Sequence, residues 1–543
     1  MQEELAERRT GGDSSIPPRR DPRWRDFVGL LLAAAGAAIC VHAYALRLSY
    51  FGDEILLLES VLPRGWGELA QPLGRNQAAP LGFVYLLELS IAVLGENKLG
   101  FRAVPMAAAV ASMFLFWVFI RGLVHGWPAW FGMAVFACGS YTAYYAQQTK
   151  QYTLELAVAL GLLCLTGWVV RGGLTLRRVV VFGVAGAGLL WFSISGVFIL
   201  GGCGLVLSVV AWRSGRRAAV AAVVGAGLLS LASFAGQYLL VLQHYGGNAY
   251  LHDYWNPFYL RLIPRLPFRL LGQAAGVFTR PVDLGFPQLG LLVSLLGVAA
   301  AARGRSALAW AVLVTWGLLI LASWLERYPY GDRQVLFALP LLIGLVALGL
   351  RWLADLGPRA HAVAALAAAL MLVEPVFTAG HIEADDALEP VLAEVRPRLE
   401  PGDTVWVERG AVYPYYFLAS RDPAFDLSLA EVMPSDQPDS RRLAVLDELE
   451  RFAGRDRVWL LISHSSERRG VDARNHILFV AEQLGRRLEH FEAGDTSATL
   501  FDFTRRPEID RSPDAMPRFR SVLFDFPEPL GRRPDPTDPE SSP

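Results

Sequence analysis

The sequence predicts a helical protein with many membrane-spanning segments, followed by a small C-terminal α/β domain outside the bilayer. Hydrophobic residues make up 53% of its 543 residues, and the mean hydropathy is +0.34. Apolar runs long enough to cross a bilayer recur as far as Thr378, and beyond that residue short strand-like runs alternate with helical spacing. This combination is typical of a polytopic membrane protein with one attached domain and excludes a large soluble enzyme.

About eleven apolar runs are predicted to cross the membrane as helices. They cover residues 26–46, 101–120, 127–145, 152–170, 178–194, 195–212, 217–242, 285–302, 306–324, 334–352 and 359–378. The run from Pro80 to Leu94 is only about 15 residues long and contains Glu88, so we expect it to lie along the outer interface. The first run is too long for the core of a cleaved signal peptide, so we expect it to remain as a helix.

Arginines cluster in the short loops on one side of these runs, for example at Arg213, Arg216 and Arg217. Under the positive-inside rule these loops face the cytoplasm, which places Asp53 and the C-terminal domain on the outer side. We therefore expect a multi-pass protein of the inner (plasma) membrane whose active site and C-terminal domain are extracytoplasmic. The net charge of −1 does not indicate a nucleic-acid partner.

The chain is predicted to have four regions. They are a disordered cytoplasmic tail at 1–25, a transmembrane domain at 26–379 with its first outer loop at 47–100, an extracytoplasmic α/β domain at 380–505, and a disordered tail at 506–543. Within the α/β domain, periodicity predicts strands at 403–407, 457–462 and 498–503 and a helix at 441–452.

Three polar clusters lie at the outer ends of spans under this topology. They are Asp53-Glu54, the run from Gln147 to Tyr152, and the run from Glu326 to Arg333. Ionised groups are costly to place in a chain that is mostly membrane, so adjacent carboxylates just after an apolar span indicate function. A carboxylate that removes a proton, combined with cations such as Lys150 and Arg333, suits acid–base chemistry on an anionic, membrane-anchored substrate.

The motifs of the first outer loop and of these clusters resemble those of the GT-C membrane glycosyltransferases. The resemblance is to bacterial relatives of protein O-mannosyltransferases and of aminoarabinose (lipid A) transferases, glycosyltransferase families 39 and 83, and it covers roughly residues 27 to 380. The motifs are Phe51-Gly52-Asp53-Glu54, Gln77-Ala78-Ala79-Pro80-Leu81-Gly82-Phe83, Gly95-Glu96-Asn97 with Arg102, Tyr144 to Tyr152, and Tyr330-Gly331-Asp332-Arg333 before Phe337-Ala338-Leu339-Pro340.

The resemblance implies a GT-C-like fold in which a sugar passes from a polyprenyl-phosphate donor to a lipid, glycan or protein acceptor on the extracytoplasmic face. It implies that Asp53 is the catalytic carboxylate, with Glu54 beside it in the motif. We expect Asp53 to act as general base in a single displacement, which makes the reaction inverting. The residues expected to bind the donor phosphate are Lys150, Arg333, Arg102 and Tyr152. No cofactor is implied with certainty; a divalent metal is compatible with the family, and its ligands are unknown.

The chain departs from the family pattern at two places. Ala79 stands before Pro80 where a histidine is frequent, and Gln148 and Lys150 replace the Glu and Arg expected before the family tyrosine. These differences leave the sugar, the acceptor and the need for a metal open.

Each candidate also has a purely structural interpretation. Asp53 and Glu54 could simply begin a helix, where carboxylates are favoured, and Lys150 and Arg333 could simply extend to the interface. In the long outer loop predicted at 243–284, His244, His252 and Asp253 lack a second pair of metal ligands at a recognisable spacing, and Tyr254-Trp255 are expected to be interfacial anchors.

Two other functions remain open for the whole protein. One is a non-enzymatic transporter or flippase of a lipid-linked solute, which is expected to carry charges at mid-membrane and to have related halves. The other is a catalytically inactive scaffold whose outer domain binds envelope partners.

Overall fold

A computed structural model of the protein describes residues 23–244, 249–260, 267–382, 387–435, 442–463 and 473–505. The tails at 1–22 and 506–543, where disorder is predicted, lie outside the described residues. The helices up to residue 378 are α1 Arg23–Leu46, α2 Gly52–Val61, α3 Leu81–Leu94, α4 Lys98–Leu123, α5 Trp127–Cys138, α6 Ser140–Ala146, α7 Tyr152–Gly172, α8 Leu176–Leu189, α9 Gly196–Arg213, α10 Arg217–Leu240, α11 Ala249–Trp255, α12 Pro267–Thr279, α13 Pro287–Arg303, α14 Ala307–Trp324, α15 Leu339–Ala354 and α16 Pro358–Thr378.

Among the described residues, eight helical segments are long and apolar enough to cross a membrane, which confirms the polytopic helical class. The other three predicted runs form shorter helices. Residues 127–145 are divided between α5 and α6, residues 178–194 form α8 and a 3₁₀ turn at Leu190–Phe192, and residues 285–302 form α13. The division between α5 and α6 lies at Gly139, whose ψ of 125° takes the backbone out of the helical region.

The short helix α3 agrees in length with the expected interfacial segment. It has 14 residues, which rise only about 21 Å, less than the roughly 30 Å of a hydrocarbon core. It packs against α4 and against the 3₁₀ turn at Leu190–Phe192. A Cβ added at Gly82 would lie 2.6 Å from the Phe192 ring, so a glycine is required for this close approach.

The segment Arg333–Ala354 is the most buried of the eight candidate spans. It starts with a 3₁₀ turn at Asp332–Ala338 and continues as α15, which packs closely on α13. A Cβ added at Gly297 would lie 1.8 Å from the Leu345 carbonyl oxygen, so the two backbones touch at this position. Arg333 therefore lies in the turn that leads into the most buried of the candidate spans.

The C-terminal domain contains a five-stranded mixed sheet with helices packed on it. Its elements are α17 Leu388–Val395, β1 Thr404–Val407, α18 Arg409–Ala419, β2 Glu431–Pro434, α19 Arg442–Leu449, β3 Val458–Ile462, α20 Ala473–Leu484, β4 Arg486–Ala493 and β5 Thr496–Asp502. The strand order is β2-β1-β3-β5-β4. Strand β1 runs parallel to β2 and β3, whereas β5 is antiparallel to both β3 and β4.

The three strands predicted from sequence are the central strands β1, β3 and β5, which are almost entirely buried. Sequence reasoning missed β2 and β4, which lie at the two edges of the sheet and are largely exposed. Edge strands carry polar and charged residues, so they lack the buried apolar run that identifies a central strand.

The C-terminal domain packs directly against the first outer loop of the membrane part. A single hydrophobic cluster includes residues of α2 and α3 together with residues of α17 and α18. Tyr50 meets Phe417 edge-on with ring centroids 5.5 Å apart, and Lys98 forms an ion pair with Glu389. The domain therefore holds in place the same loop that carries Asp53.

The expected topology can be tested with single cysteines in a background without native cysteines. Ser420 in the C-terminal domain and Ser214 after α9 are both exposed. We expect an impermeant thiol reagent to label Ser420→Cys in intact cells and Ser214→Cys only after permeabilisation, because the arginine-rich loop faces the cytoplasm. Labelling of residue 214 but not of residue 420 in intact cells would show that the orientation is reversed.

Candidate active site

The adjacent carboxylates Asp53 and Glu54 lie in the first turn of α2, which begins at Gly52. A helix N-terminus favours negative charge, because its backbone N–H groups are unpaired and its dipole is positive there. The Phe51 backbone N–H donates to Glu54 Oε1 at 3.1 Å. This local bond fixes the Glu54 side chain towards the protein interior.

Glu54 is completely buried and forms a bidentate ion pair with Arg102 of α4. Arg102 Nε lies 3.0 Å from Glu54 Oε2, and Arg102 Nη2 lies 2.9 Å from Glu54 Oε1. Arg102 also donates to the Leu48 and Ser49 carbonyl oxygens, at 2.8 Å and 3.0 Å. The Thr149 N–H and Oγ1 donate to Glu54 Oε2 at 2.7 Å and 2.9 Å. Three distant segments therefore meet on one buried carboxylate.

Asp53 points away from this pair and contacts Arg333. Arg333 Nη2 lies 2.7 Å from Asp53 Oδ2, and the Asp53 side chain is 23% exposed whereas that of Arg333 is 11% exposed. The two neighbouring carboxylates thus have different environments. Glu54 is enclosed, whereas Asp53 remains accessible to a reactant.

Lys150 completes the site and is also buried. Its Nζ donates to Gln77 Oε1 at 2.6 Å. Burial lowers the pKa of Lys150 to about 8; the Arg333 charge acts in the same direction, whereas Asp53 and Glu54 oppose the shift. These interactions place Lys150, Asp53 and Arg333 in one electrostatic unit, although they are far apart in sequence.

Aromatic residues surround the Arg333 guanidinium. Its Cζ lies 5.3 Å from the centroid of the Trp255 ring, and its Nη2 donates to Tyr254 Oη at 3.4 Å. The structure therefore places Tyr254-Trp255, expected only as interfacial anchors, against a candidate site residue. Arg333 Nε is buried and has no hydrogen-bond partner within the described part of the chain. Tyr152, the remaining candidate, is buried and meets Tyr145 edge-on at 5.1 Å.

Sequence reasoning gave no role to two polar residues at this end of the membrane part. One is Gln77, the partner of Lys150. The other is Glu155 in the first turn of α7, a buried carboxylate that accepts from the Ile194 N–H at 3.1 Å and from Ser195 Oγ at 2.9 Å. A single glutamate inside an apolar run was the available signal for Glu155, and for Gln77 the available signal was its place in the motif that begins Gln77-Ala78-Ala79-Pro80.

The candidate metal ligands His244, His252 and Asp253 do not come together as a cluster of three or more ligands in the described structure. His252 Nε2 lies 3.5 Å from Glu326 Oε2. Within the residues that the structure describes, no group of three or more His, Cys, Asp or Glu side chains is arranged to hold a metal ion. The divalent metal compatible with the sequence resemblance therefore has no identified ligand set here.

No protein-family model and no curated protein matches the chain. Solved structures that resemble it include the Archaeoglobus fulgidus oligosaccharyltransferase in complex with zinc and sulfate, at 13% identity and a TM-score of 0.49, covering 84% of this chain and 71% of that chain. ArnT from Cupriavidus metallidurans bound to undecaprenyl phosphate is similar at 11% identity and a TM-score of 0.46, covering 87% of this chain and 97% of that chain.

The buried pair of Glu54 and Arg102 is expected to be essential for stability. Arg102→Ala leaves a buried carboxylate without its counter-charge, which typically costs about 3–5 kcal/mol. The matched control is Arg121→Ala on the same helix, whose partner Asp26 is exposed, and we expect it to change little. Thermal unfolding in detergent measures both variants. Equal unfolding temperatures for the two would show that the buried pair does not stabilise the fold.

Proposed function

We propose that this protein is a membrane glycosyltransferase that moves a sugar from a polyprenyl-phosphate donor to an acceptor on the extracytoplasmic face. The observation that carries the proposal is the convergence of Asp53, Arg333 and Lys150. One accessible carboxylate and two cations from three separate segments meet at one end of the helices. This is the set of charges that sugar transfer from a phosphate carrier requires.

In the proposed reaction Asp53 acts as general base on the acceptor hydroxyl. The acceptor oxygen attacks the anomeric carbon, a new C–O bond forms, and the bond from that carbon to the phosphate oxygen breaks. The proton passes to Asp53, and polyprenyl phosphate leaves with the bonding electron pair. A single displacement with one base needs no covalent glycosyl-enzyme, so the anomeric configuration is inverted.

Arg333 and Lys150 are proposed to bind the donor phosphate and to stabilise the charge that develops on the leaving oxygen. Arg333 offers a planar fork whose buried Nε has no partner in the described structure. Its Nη2 contacts Asp53 at 2.7 Å, so an arriving phosphate competes with Asp53 for the same cation. Binding of the donor would thereby loosen Asp53 and make it available as base.

Arg102 receives a different role from the one that the resemblance implies. Its side chain makes four hydrogen bonds to Glu54, Leu48 and Ser49 and is almost completely buried. We therefore assign Arg102 and Glu54 to positioning the start of α2, and leave the phosphate to Arg333 and Lys150. Tyr152 remains a candidate for the donor side through its place beside Tyr145.

A donor panel tests the proposal directly. The purified protein is incubated in lipid with radiolabelled polyprenyl-phosphate sugars, with and without lipid, glycan or protein acceptors. Transfer of label to an acceptor, or acceptor-independent hydrolysis of one donor, is the expected result. Donors that cross the bilayer without being consumed indicate the transporter instead, and donors that neither react nor bind indicate the inactive scaffold.

For the base, we expect Asp53→Asn to fold normally and to lower transfer by about 10²–10⁴-fold, because the amide cannot accept the proton. We also expect this variant to bind polyprenyl phosphate more tightly than wild type, because Arg333 loses a competing anion. Glu59→Gln is the matched control, since Glu59 lies on the same helix with similar exposure. Near wild-type turnover by folded Asp53→Asn would contradict the role as base.

For the cations, we expect Arg333→Ala to weaken donor binding and Lys150→Ala to lower kcat more strongly. A cation that binds substrate and transition state equally affects KM alone, whereas one that meets developing charge affects kcat. Arg333→Lys should rescue only in part, because a lysine lacks the planar fork. Steady-state kinetics decides between these roles, and unchanged KM and kcat in both alanine variants would show that the phosphate binds elsewhere.

A further inference from the structure

Lysine is rare in this protein and occupies special positions. The sequence contains 50 lysines and arginines together, and only Lys98 and Lys150 are lysines. Lys98 pairs with Glu389 of the C-terminal domain. Lys150 instead lies in the candidate active site. Arginine keeps its charge at every accessible pH, whereas the pKa of a lysine shifts when the side chain is buried. A lysine at residue 150 therefore makes the charge at this position dependent on its surroundings.

The direct partner of Lys150 is an amide. Buried lysines usually pair with a carboxylate, yet Lys150 Nζ donates to Gln77 Oε1 at 2.6 Å. The carboxylates of α2, Asp53 and Glu54, act on it electrostatically, and so does the cation Arg333 of the 3₁₀ turn before α15. The amide thus orients the ammonium without adding a negative charge.

The loop around Gln77 is built to present this amide. Arg75 and Asn76 both have positive φ values, 56° each, which turns the chain sharply just before Gln77. The Gln77 N–H donates to the Gly74 carbonyl oxygen at 3.0 Å and closes the turn. One residue further along, the loop is joined to the Lys150 segment again, because Gln151 Nε2 donates to the Ala78 carbonyl oxygen at 3.1 Å.

We propose that Gln77 is a positioning residue for the transfer reaction: its neutral amide oxygen fixes Lys150 Nζ in the site and leaves the ammonium charge available for the donor phosphate. This inference rests on the proposed function for the identity of the anion. A glutamate at residue 77 would hold the lysine equally well, but it would neutralise the charge and compete with the phosphate. A residue without an acceptor would leave the buried ammonium without its hydrogen bond.

The charge of Lys150 is expected to make donor binding dependent on pH. Lys150 binds phosphate as a cation, so donor binding should decline as the pH rises through its pKa of about 8. Gln77→Glu places a carboxylate beside the ammonium, so the pKa should rise by about one pH unit or more and the decline should move to higher pH. Gln77→Met, of similar size but without an acceptor, should move the decline to lower pH.

The experiment measures the titration of Lys150 directly. Protein labelled with ¹³C-lysine gives only two lysine side-chain signals, which Lys98→Arg assigns. The Lys98 signal serves as an internal reference that should not respond to residue 77. Gln71→Glu is the matched control, because Gln71 is an exposed glutamine of the same outer loop. Binding of polyprenyl phosphate and transfer are then measured across the same pH range.

We expect the Lys150 titration to move upward in Gln77→Glu, downward in Gln77→Met, and not at all in Gln71→Glu. Polyprenyl phosphate should bind more weakly to Gln77→Glu at neutral pH, with donor KM raised in parallel. An unchanged Lys150 titration in both variants at residue 77 would overturn the proposal and show that Gln77 only links two loops. If the titrations move as expected but wild type neither binds polyprenyl phosphate nor transfers a sugar, the assignment of Gln77 to Lys150 holds and the proposed function fails.

Discussion

The candidate site depends on the buried ion pair between Glu54 and Arg102. Taking two charges out of water costs several kcal/mol for each ion, and a buried pair is stable only when its remaining hydrogen-bonding capacity is also satisfied. Here the backbone at Leu48 and Ser49 and both donors of Thr149 supply those bonds. The pair therefore fixes the relative positions of the first outer loop, α4 and the segment before α7.

The residues that we assign to chemistry are immediate neighbours of this network. Asp53 precedes Glu54, and Lys150 follows Thr149. Each of them is bonded through the backbone to a residue that is buried and hydrogen-bonded, and this neighbour limits where it can lie. Buried neighbours thus position the residues that we assign to chemistry. In this way the site holds unlike charges close together and leaves one carboxylate accessible. The two cations of the site also differ in their partners, because Arg333 contacts a carboxylate whereas Lys150 contacts an amide.

The C-terminal domain contributes to the site through the first outer loop. Arg75, two residues before Gln77, donates to Tyr413 Oη of α18 at 2.8 Å and lies over the Tyr413 ring. At the other end of this loop Lys98 binds Glu389 of α17. The loop that presents Asp53 and Gln77 is therefore held between the membrane helices on one side and the folded domain on the other, which limits its conformational freedom.

The sequence by itself determined the membrane class, the positions of the long helices and the three central strands, because each follows from the length or the pattern of a local apolar run. It also directed attention to Asp53, Lys150 and Arg333, because ionised groups are costly to place in a chain that is mostly membrane. Only the tertiary structure decided that Glu54 is enclosed by Arg102, that Asp53 contacts Arg333, and that Gln77 holds Lys150. Those contacts join segments separated by tens to hundreds of residues, and no local pattern encodes which distant partner a side chain will meet.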